Sequence, residues 1–149
     1  MLQEQNSHKI VYHADDDEDD RMLFMDAVGE LDLAIKLKQA ENGQLLLESL
    51  YHASREIPEL LFLDINMPGK NGLECLREIR NGTLPFNGLK VIMLSTSKSD
   101  YSIETSYELG ADFYAVKPAT YHELKKLLLD IFRIDWSTFT RDKKGFLLT

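Results

Sequence analysis

Apolar residues in this chain form short continuous runs that alternate with stretches of helical periodicity. Five such alternations lie between residues 10 and 131. Short apolar runs bounded by polar turns predict strands, whereas apolar residues spaced three and four apart predict amphipathic helices. The predicted strands are Ile10 to Ala14, Ala34 to Gln39, Leu60 to Leu63, Val91 to Leu94 and Phe113 to Val116. The alternation predicts an α/β domain in which helices cover a parallel sheet.

The apolar or mixed composition of each strand, and the residues at helix ends, add detail to the predicted fold. Leu60 to Leu63 is apolar at every position, which predicts a central strand buried on both faces, whereas Ala34 to Gln39 reads as a half-exposed edge. We expect Asp19 or Asp20 to cap the first helix. Gly110 is a typical helix stop. The predicted helices contain Leu23 to Leu31, Leu46 to Ala53, Leu73 to Ile79, Asp100 to Leu109 and Leu124 to Ile131.

Composition and charge narrow the class of protein. The 149 residues are 44% hydrophobic and 28% charged, as in an ordinary soluble globular domain. A net charge of −8 argues against direct nucleic-acid binding, which requires a basic surface. No apolar run approaches the ~18 residues of a membrane span, and Met1 to Lys9 lacks a signal-peptide core, so we expect a cytoplasmic protein without membrane partners. The single Cys75 excludes an internal disulfide.

Polar side chains follow four of the predicted strands. Asp15 and Asp16 come after the first strand, Asp64 after the third, Ser95 after the fourth and Lys117 after the fifth. In open parallel sheets, ligands bind outside the carboxyl ends of the strands. Each residue alone is weak evidence of function, but the set predicts a single site at this edge.

The chemistry of this set favours phosphoryl transfer. Asp15, Asp16 and Asp64 would repel one another without a partner, and Mg²⁺ is the hard cation that carboxylates with phosphate oxygens commonly hold. Positioned cations stabilise the charge of a transferring phosphoryl group, and Lys117 supplies a second one. Asp64, on the central strand, is the best-placed acceptor. Ser95 is placed to bond a new phosphoryl oxygen.

Four motifs resemble the receiver domains of two-component response regulators, which are CheY-like in fold. The resemblance runs from Lys9 to Phe132. It implies a flavodoxin-like, doubly wound, five-stranded parallel sheet of order 2-1-3-4-5 with helices on both faces. The motifs are Ala14-Asp15-Asp16-Asp17, Leu63-Asp64-Ile65-Asn66-Met67-Pro68-Gly69 with Gly72, Met93-Leu94-Ser95-Thr96 and Val116-Lys117-Pro118.

The same resemblance divides the chain into three parts. Residues 1–8 are expected to be a flexible amino-terminal segment, and residues 9–132 the receiver domain. Residues 133–149 form a carboxy-terminal tail. Because Trp136, Phe139 and Phe146 to Leu148 are apolar, we expect this tail to pack on the domain.

The resemblance assigns a role to each residue of the acidic site. Asp15 and Asp16 would be the metal-binding pair, and Asp64 would be both phosphoacceptor and metal ligand. Asn66 would complete the metal shell through its backbone carbonyl. Lys117 would contact the phosphoryl group, and the peptide bond that follows it is usually cis in the family.

Three further residues match positions that govern signalling. Ser95 occupies the hydroxyl switch position, and Tyr114 the aromatic position that turns inward when that hydroxyl moves toward the phosphoryl group. The side chains of Ser97 and Asn66 would tune the lifetime of the phosphoryl group.

These roles predict a response regulator, and because the residues after Phe132 are too few for a DNA-binding or catalytic module, we expect a stand-alone one. A histidine kinase or histidine phosphotransfer protein would donate a phosphoryl group to Asp64 in a Mg²⁺-dependent reaction. The face formed by helix four, strand five and helix five would then change its affinity for a downstream protein that the sequence does not identify. The chain is expected not to be an enzyme beyond its own phosphorylation and dephosphorylation. A homodimer is compatible with this scheme.

Two alternatives use the same residues differently. A phosphatase with an aspartyl-phosphate intermediate would share the nucleophile and Mg²⁺, but it normally carries an acid where this chain has Asn66. Alternatively, a receiver fold could act as a docking module that does not respond to phosphorylation. The complete set of acidic-site residues argues against that interpretation.

Overall fold

Every predicted strand and helix is present in the computed structural model, which describes residues 8–53, 56–81 and 88–148. Residues 1–7 of the predicted flexible segment, and most of the loop between the third helix and the fourth strand, lie outside these ranges. The strands are β1 (Lys9–Ala14), β2 (Ile35–Ala40), β3 (Leu60–Leu63), β4 (Lys90–Ser95), β5 (Phe113–Val116) and β6 (Leu147–Leu148). The helices are α1 (Glu18–Glu30), α2 (Gly43–Tyr51), α3 (Gly72–Arg80), α4 (Asp100–Glu108) and α5 (Tyr121–Phe132). No helix in the described part of the chain is long and apolar enough to cross a bilayer.

The strands form one parallel sheet in the order β2-β1-β3-β4-β5-β6. The predicted order 2-1-3-4-5 is confirmed. Within the described residues the sheet nevertheless has six strands rather than five, because residues of the carboxy-terminal tail pair with β5. The N–H of Tyr114 donates to the carbonyl of Phe146 at 2.9 Å, and the Phe146 ring packs 5.1 Å from the ring of Tyr107. β5 is therefore an interior strand rather than an edge.

Strand burial follows the sequence pattern. All four residues of β3 are buried, as a strand covered on both faces requires, whereas exposure alternates along the edge strand β2. Helices α2, α3 and α4 pack on one face of the sheet, and α1 and α5 pack on the other. Trp136 and Phe139 of the tail extend the core beneath α1 and α5, where their rings pack edge-on or tilted against Phe113 and each other.

The prediction that Asp19 or Asp20 caps α1 is wrong. Asp17 is the cap, and its side chain accepts a hydrogen bond from the N–H of Asp20 at 3.1 Å. The helix starts earlier because Glu18, Asp19 and Asp20 are all favourable in a first turn, where the helix dipole attracts negative charge. The side chain of Asp20 is consequently available for contacts outside the helix.

Candidate functional site

Backbone hydrogen bonds align the residues that follow the strands. The N–H of Asp15 donates to the last residue of β2 at 3.1 Å, and the N–H of Asp64 donates to Ala14 at 3.0 Å. The N–H of Lys117 donates to the carbonyl of Ser95 at 2.8 Å. Each bond extends the ladder of the parallel sheet one residue beyond its strand. The side chains of Asp15, Asp64 and Lys117 are thereby brought to one edge.

Three carboxylates meet at this edge. One carboxylate oxygen from each of Asp15, Asp16 and Asp64 lies within 4.8 Å of the other two. Asp15 and Asp64 are buried, whereas Asp16 is exposed. Oxygen donors at this spacing, open to solvent on one side, suit a hard divalent cation that keeps some of its water ligands. The exposed Asn66 contacts this cluster through its backbone N–H, which donates to Asp64 Oδ1 at 3.3 Å.

Lys117 joins the cluster from the side of β5. Its Nζ lies 2.8 Å from Asp15 Oδ2, 2.9 Å from Asp20 Oδ2 and 3.5 Å from Asp64 Oδ2. The family resemblance predicted a cis peptide bond after this lysine. That expectation is wrong here, because none of the peptide bonds within the described residues is cis.

The pKa values of Asp64 and Lys117 are set by burial, which disfavours the charged form, and by neighbouring groups of opposite charge, which favour it. Burial raises the pKa of Asp64 to about 6; Lys117 lowers it, and the neighbouring Asp15 carboxylate raises it further. Burial alone would lower the pKa of Lys117, but hydrogen bonds to Asp15 and Asp20 outweigh it and raise that pKa. The ammonium group thus stays charged and partly compensates the buried carboxylates.

A second layer of side chains supports Asp15. Arg21 donates to the Asp15 carbonyl at 2.8 Å, and the Gln39 amide bonds both the Arg21 carbonyl (2.8 Å) and His13 Nδ1 (3.0 Å). The His13 ring stacks on Phe24 with centroids 3.8 Å apart. Burial lowers the pKa of His13 to about 3, so the ring is neutral and Nε2, 3.9 Å from Asp15, forms no ion pair at neutral pH.

Sequence reasoning missed Arg21, Gln39 and Asp20 as parts of the site. No local motif marks the first two, since their contacts depend on how β2 and α1 pack. The place of Asp20 in the site could have been predicted from the helix cap. If Asp17 is recognised as the cap, Asp20 falls in the first turn, next to the carboxyl end of β1.

The predicted switch residues lie at the ends of β4 and β5. Ser95 is fully buried, and its Oγ accepts a hydrogen bond from the N–H of Ser97 at 3.1 Å. Tyr114 is also fully buried, with its hydroxyl donating to the Ser97 carbonyl at 2.7 Å. The Ser97 hydroxyl bonds those of Ser99 (3.2 Å) and Ser102 (3.3 Å) at the start of α4. Ser97 therefore connects both switch positions to α4.

Gly72 holds the loop after β3 against Asp64. A Cβ at this position would lie 2.1 Å from the Asp64 carbonyl oxygen, and the Gly72 N–H donates to the Ile65 carbonyl at 2.9 Å. Only glycine permits this approach. The glycine predicted as part of the third-strand motif thus fixes the backbone of the acceptor residue.

Comparisons with known proteins agree with this geometry. Residues 11–129 match the model of the response regulator receiver domain family. Among curated proteins, the chain is 26% identical over 125 residues to the probable methanogenesis regulatory protein FilR2 of Methanothrix harundinacea, covering 82% of this chain and 80% of FilR2. It is 36% identical over 90 residues to the nitrate/nitrite response regulator NarL of Escherichia coli, covering 60% of this chain and 39% of NarL. The chain therefore spans well under half of NarL.

Solved structures extend the likeness to the whole fold. The phosphorylated cyanobacterial phytochrome response regulator RcpA is 29% identical, with a TM-score of 0.79 over 90% of this chain and 98% of RcpA. The Mn²⁺-bound form of response regulator Rcp1 is 26% identical, with a TM-score of 0.74 over 90% of this chain and 99% of Rcp1. The family match over residues 11–129 covers β1 from Val11 onward, all of β2 to β5, and the residues that follow these strands. The chain belongs to the response regulator receiver domains of two-component systems.

Proposed function

We propose that this chain is a phosphorylation-dependent response regulator whose Asp64 accepts a phosphoryl group from a histidine kinase or histidine phosphotransfer protein. One observation carries the proposal: a buried carboxylate at the end of the central strand has two further carboxylates within 4.8 Å and an ammonium group 3.5 Å away. Phosphoryl transfer requires positive charge held around the nucleophile, which a carboxylate-bound metal ion and an ammonium group would supply.

The proposed reaction exchanges one bond to phosphorus for another and takes one proton from solvent water. A carboxylate oxygen of Asp64 attacks the phosphorus of a phosphohistidine, and a P–O bond forms as the P–N bond breaks. The electron pair of that bond stays on the imidazole nitrogen, which takes up a proton. The product is an acyl phosphate on Asp64. Lys117, already within reach of the carboxylate, stabilises the phosphoryl oxygens.

Asp15, Asp16 and Asp64, with the backbone carbonyl of Asn66, would hold Mg²⁺ in this scheme. The metal would neutralise the charge of the phosphoryl oxygens. The donor set is all oxygen, which suits Mg²⁺, and the similar protein Rcp1 is known in an Mn²⁺-bound form. Beyond this self-directed chemistry, we propose no turnover of a separate substrate.

We propose that phosphorylation of Asp64 moves Ser95 and Tyr114, and that this movement alters the face formed by α4, β5 and α5. The Ser97 carbonyl accepts the Tyr114 hydroxyl, so a shift of the segment after β4 would disturb a buried contact. Because β6 pairs with β5, Leu147 and Leu148 also line the groove beside α5. The surface offered to a downstream protein or to a second copy would therefore include the tail.

The proposal is tested by incubating the protein with acetyl phosphate and measuring its intact mass with Mg²⁺ or with EDTA. We expect the addition of one phosphate that requires Mg²⁺, is removed by hydroxylamine and does not occur in Asp64→Asn. Failure of the wild type to gain phosphate would favour the docking module. Steady phosphate release from a small phosphomonoester would favour the phosphatase.

A further inference from the structure

Asp20 is a fourth carboxylate at the acidic site, outside the cluster of three. Its Oδ2 lies 2.9 Å from Lys117 Nζ, almost as close as Asp15 Oδ2 at 2.8 Å. The ammonium group is farther from the proposed acceptor, at 3.5 Å from Asp64 Oδ2. Lys117 is thus bound at the rim of the cluster by two carboxylates, neither of which is the acceptor.

The position of the ammonium group matters because it competes with a divalent cation. Asp15 belongs both to the three-carboxylate cluster and to the Lys117 pair. A cation arriving at Asp15 must weaken the contact with Lys117, and an ammonium group without another partner would remain beside Asp15 and Asp64. Asp20 offers that partner from the first turn of α1.

We propose that Asp20 is a positioning residue that shares the Lys117 ammonium with Asp15, so that the ammonium stays bound to Asp20 when a divalent cation takes its place at Asp15. The Lys117 side chain is 16% exposed and that of Asp20 is 39% exposed, so the pair is shielded from solvent on the lysine side. A hydrogen-bonded charge pair of this kind directs a side chain more strongly than a freely exposed pair does. This inference rests on the proposed function in that the cation is Mg²⁺.

Asp19 provides a matched control. It lies on the same first turn and is exposed, and among the described residues its side chain makes no hydrogen bond or ion pair. Asp19→Asn and Asp20→Asn remove the same charge from neighbouring positions. Only the second removes a partner of Lys117.

The first test is the dissociation constant of Mg²⁺ from the unphosphorylated protein, measured by calorimetry. We expect Asp20→Asn to weaken binding about tenfold, and Asp19→Asn to weaken it about twofold or less, as a screened surface charge would. Equal weakening by the two variants would overturn the inference and leave the proposed function intact. If the wild type binds no Mg²⁺, both the inference and the proposed metal dependence fail.

The second test asks whether Asp20 acts through Lys117. In a Lys117→Met background, Asp20→Asn should weaken Mg²⁺ binding only as much as Asp19→Asn does, because no ammonium group remains to be positioned. A full tenfold effect in that background would mean that Asp20 attracts the cation directly, which contradicts the inference. In the metal-free protein, the NMR signals of the Lys117 ammonium should shift in Asp20→Asn and stay unchanged in Asp19→Asn. Unchanged signals in both variants would also contradict it.

Discussion

The Lys117 ammonium lies 3.5 Å from the carboxylate of Asp64, an ion pair longer than the bonds of the same ammonium to Asp15 and Asp20. This partial compensation explains why the pKa of Asp64 remains raised. Burial favours the protonated acid, and the looser contact with Lys117 offsets only part of that effect. The acceptor carboxylate is therefore held in a folded state that would be more stable if it were neutral.

Asp64→Asn should stabilise the metal-free protein at neutral pH. The pKa of Asp64 rises from 3.8 to about 6 on folding, so between these values the folded state binds more protons than the unfolded state. The ionisation of Asp64 therefore makes the wild type less stable as pH rises from about 4 to about 6. The amide side chain of Asp64→Asn does not ionise, so the variant does not lose stability in this way. We expect the stability difference to grow over that interval to about 1–3 kcal/mol, because a shift of about two pKa units is worth at most about 3 kcal/mol and solvent screens part of it. Urea denaturation at several pH values in EDTA measures it.

An Asp64→Asn variant less stable than the wild type at pH 7 would contradict this reading of the site. It would mean that the ionised carboxylate is well compensated by Lys117. A stability difference that is constant with pH would show that the effect of the substitution is unrelated to ionisation.

Gly72→Ala should damage the acceptor site through the backbone. The added Cβ would meet the Asp64 carbonyl oxygen at 2.1 Å, so the loop or the end of β3 must move. We expect a loss of roughly 1–3 kcal/mol in unfolding free energy and slower labelling by acetyl phosphate. Gly29→Ala is the control, since nothing lies within 4 Å of its added Cβ. That helical substitution should stabilise by up to about 1 kcal/mol and leave labelling unchanged. Similar labelling rates in both variants would refute the argument.

Phe146→Ala should show that the tail is part of the folded domain. Phe146 is 2% exposed and its ring packs against Tyr107 and Tyr114, so removal of the ring leaves a cavity beside β5. We expect a loss of about 3 kcal/mol in chemical denaturation. Leu147→Ala changes the next residue, which is 38% exposed, and should lose less than about 1 kcal/mol. Equal small losses would mean that β6 contributes little to stability.

The sequence predicted the parts of the fold that local pattern determines. The unbroken apolar run of β3 marks a central strand, and the alternation of β2 marks an edge. The two-residue strand β6 could not be predicted in this way, because a pair of leucines has no detectable period. Its pairing depends on Phe146 finding a site between α4 and β5, which is a tertiary contact.

The residues of the candidate site likewise fall into those that local pattern predicts and those that it does not. Asp15, Asp16, Asp64 and Lys117 were predictable because each directly follows a strand and the strands are parallel. The contact between Asp20 and Lys117 depends on the exact start of α1. Because Asp17 is the cap, the helix begins at Glu18 and Asp20 lies in its first turn. Helix boundaries of this kind are set by competition among adjacent acidic residues, so composition alone does not resolve them.

The central claim, that Asp64 is the residue phosphorylated, is tested most directly by trapping the acyl phosphate. The protein is labelled with acetyl phosphate and Mg²⁺, reduced with borohydride, digested and sequenced by mass spectrometry. Borohydride reduces an aspartyl phosphate to homoserine with release of phosphate. We predict homoserine at position 64 and at no other aspartate. Homoserine at Asp15 or Asp16 instead, or unmodified Asp64 in a protein that has gained phosphate, would contradict the account.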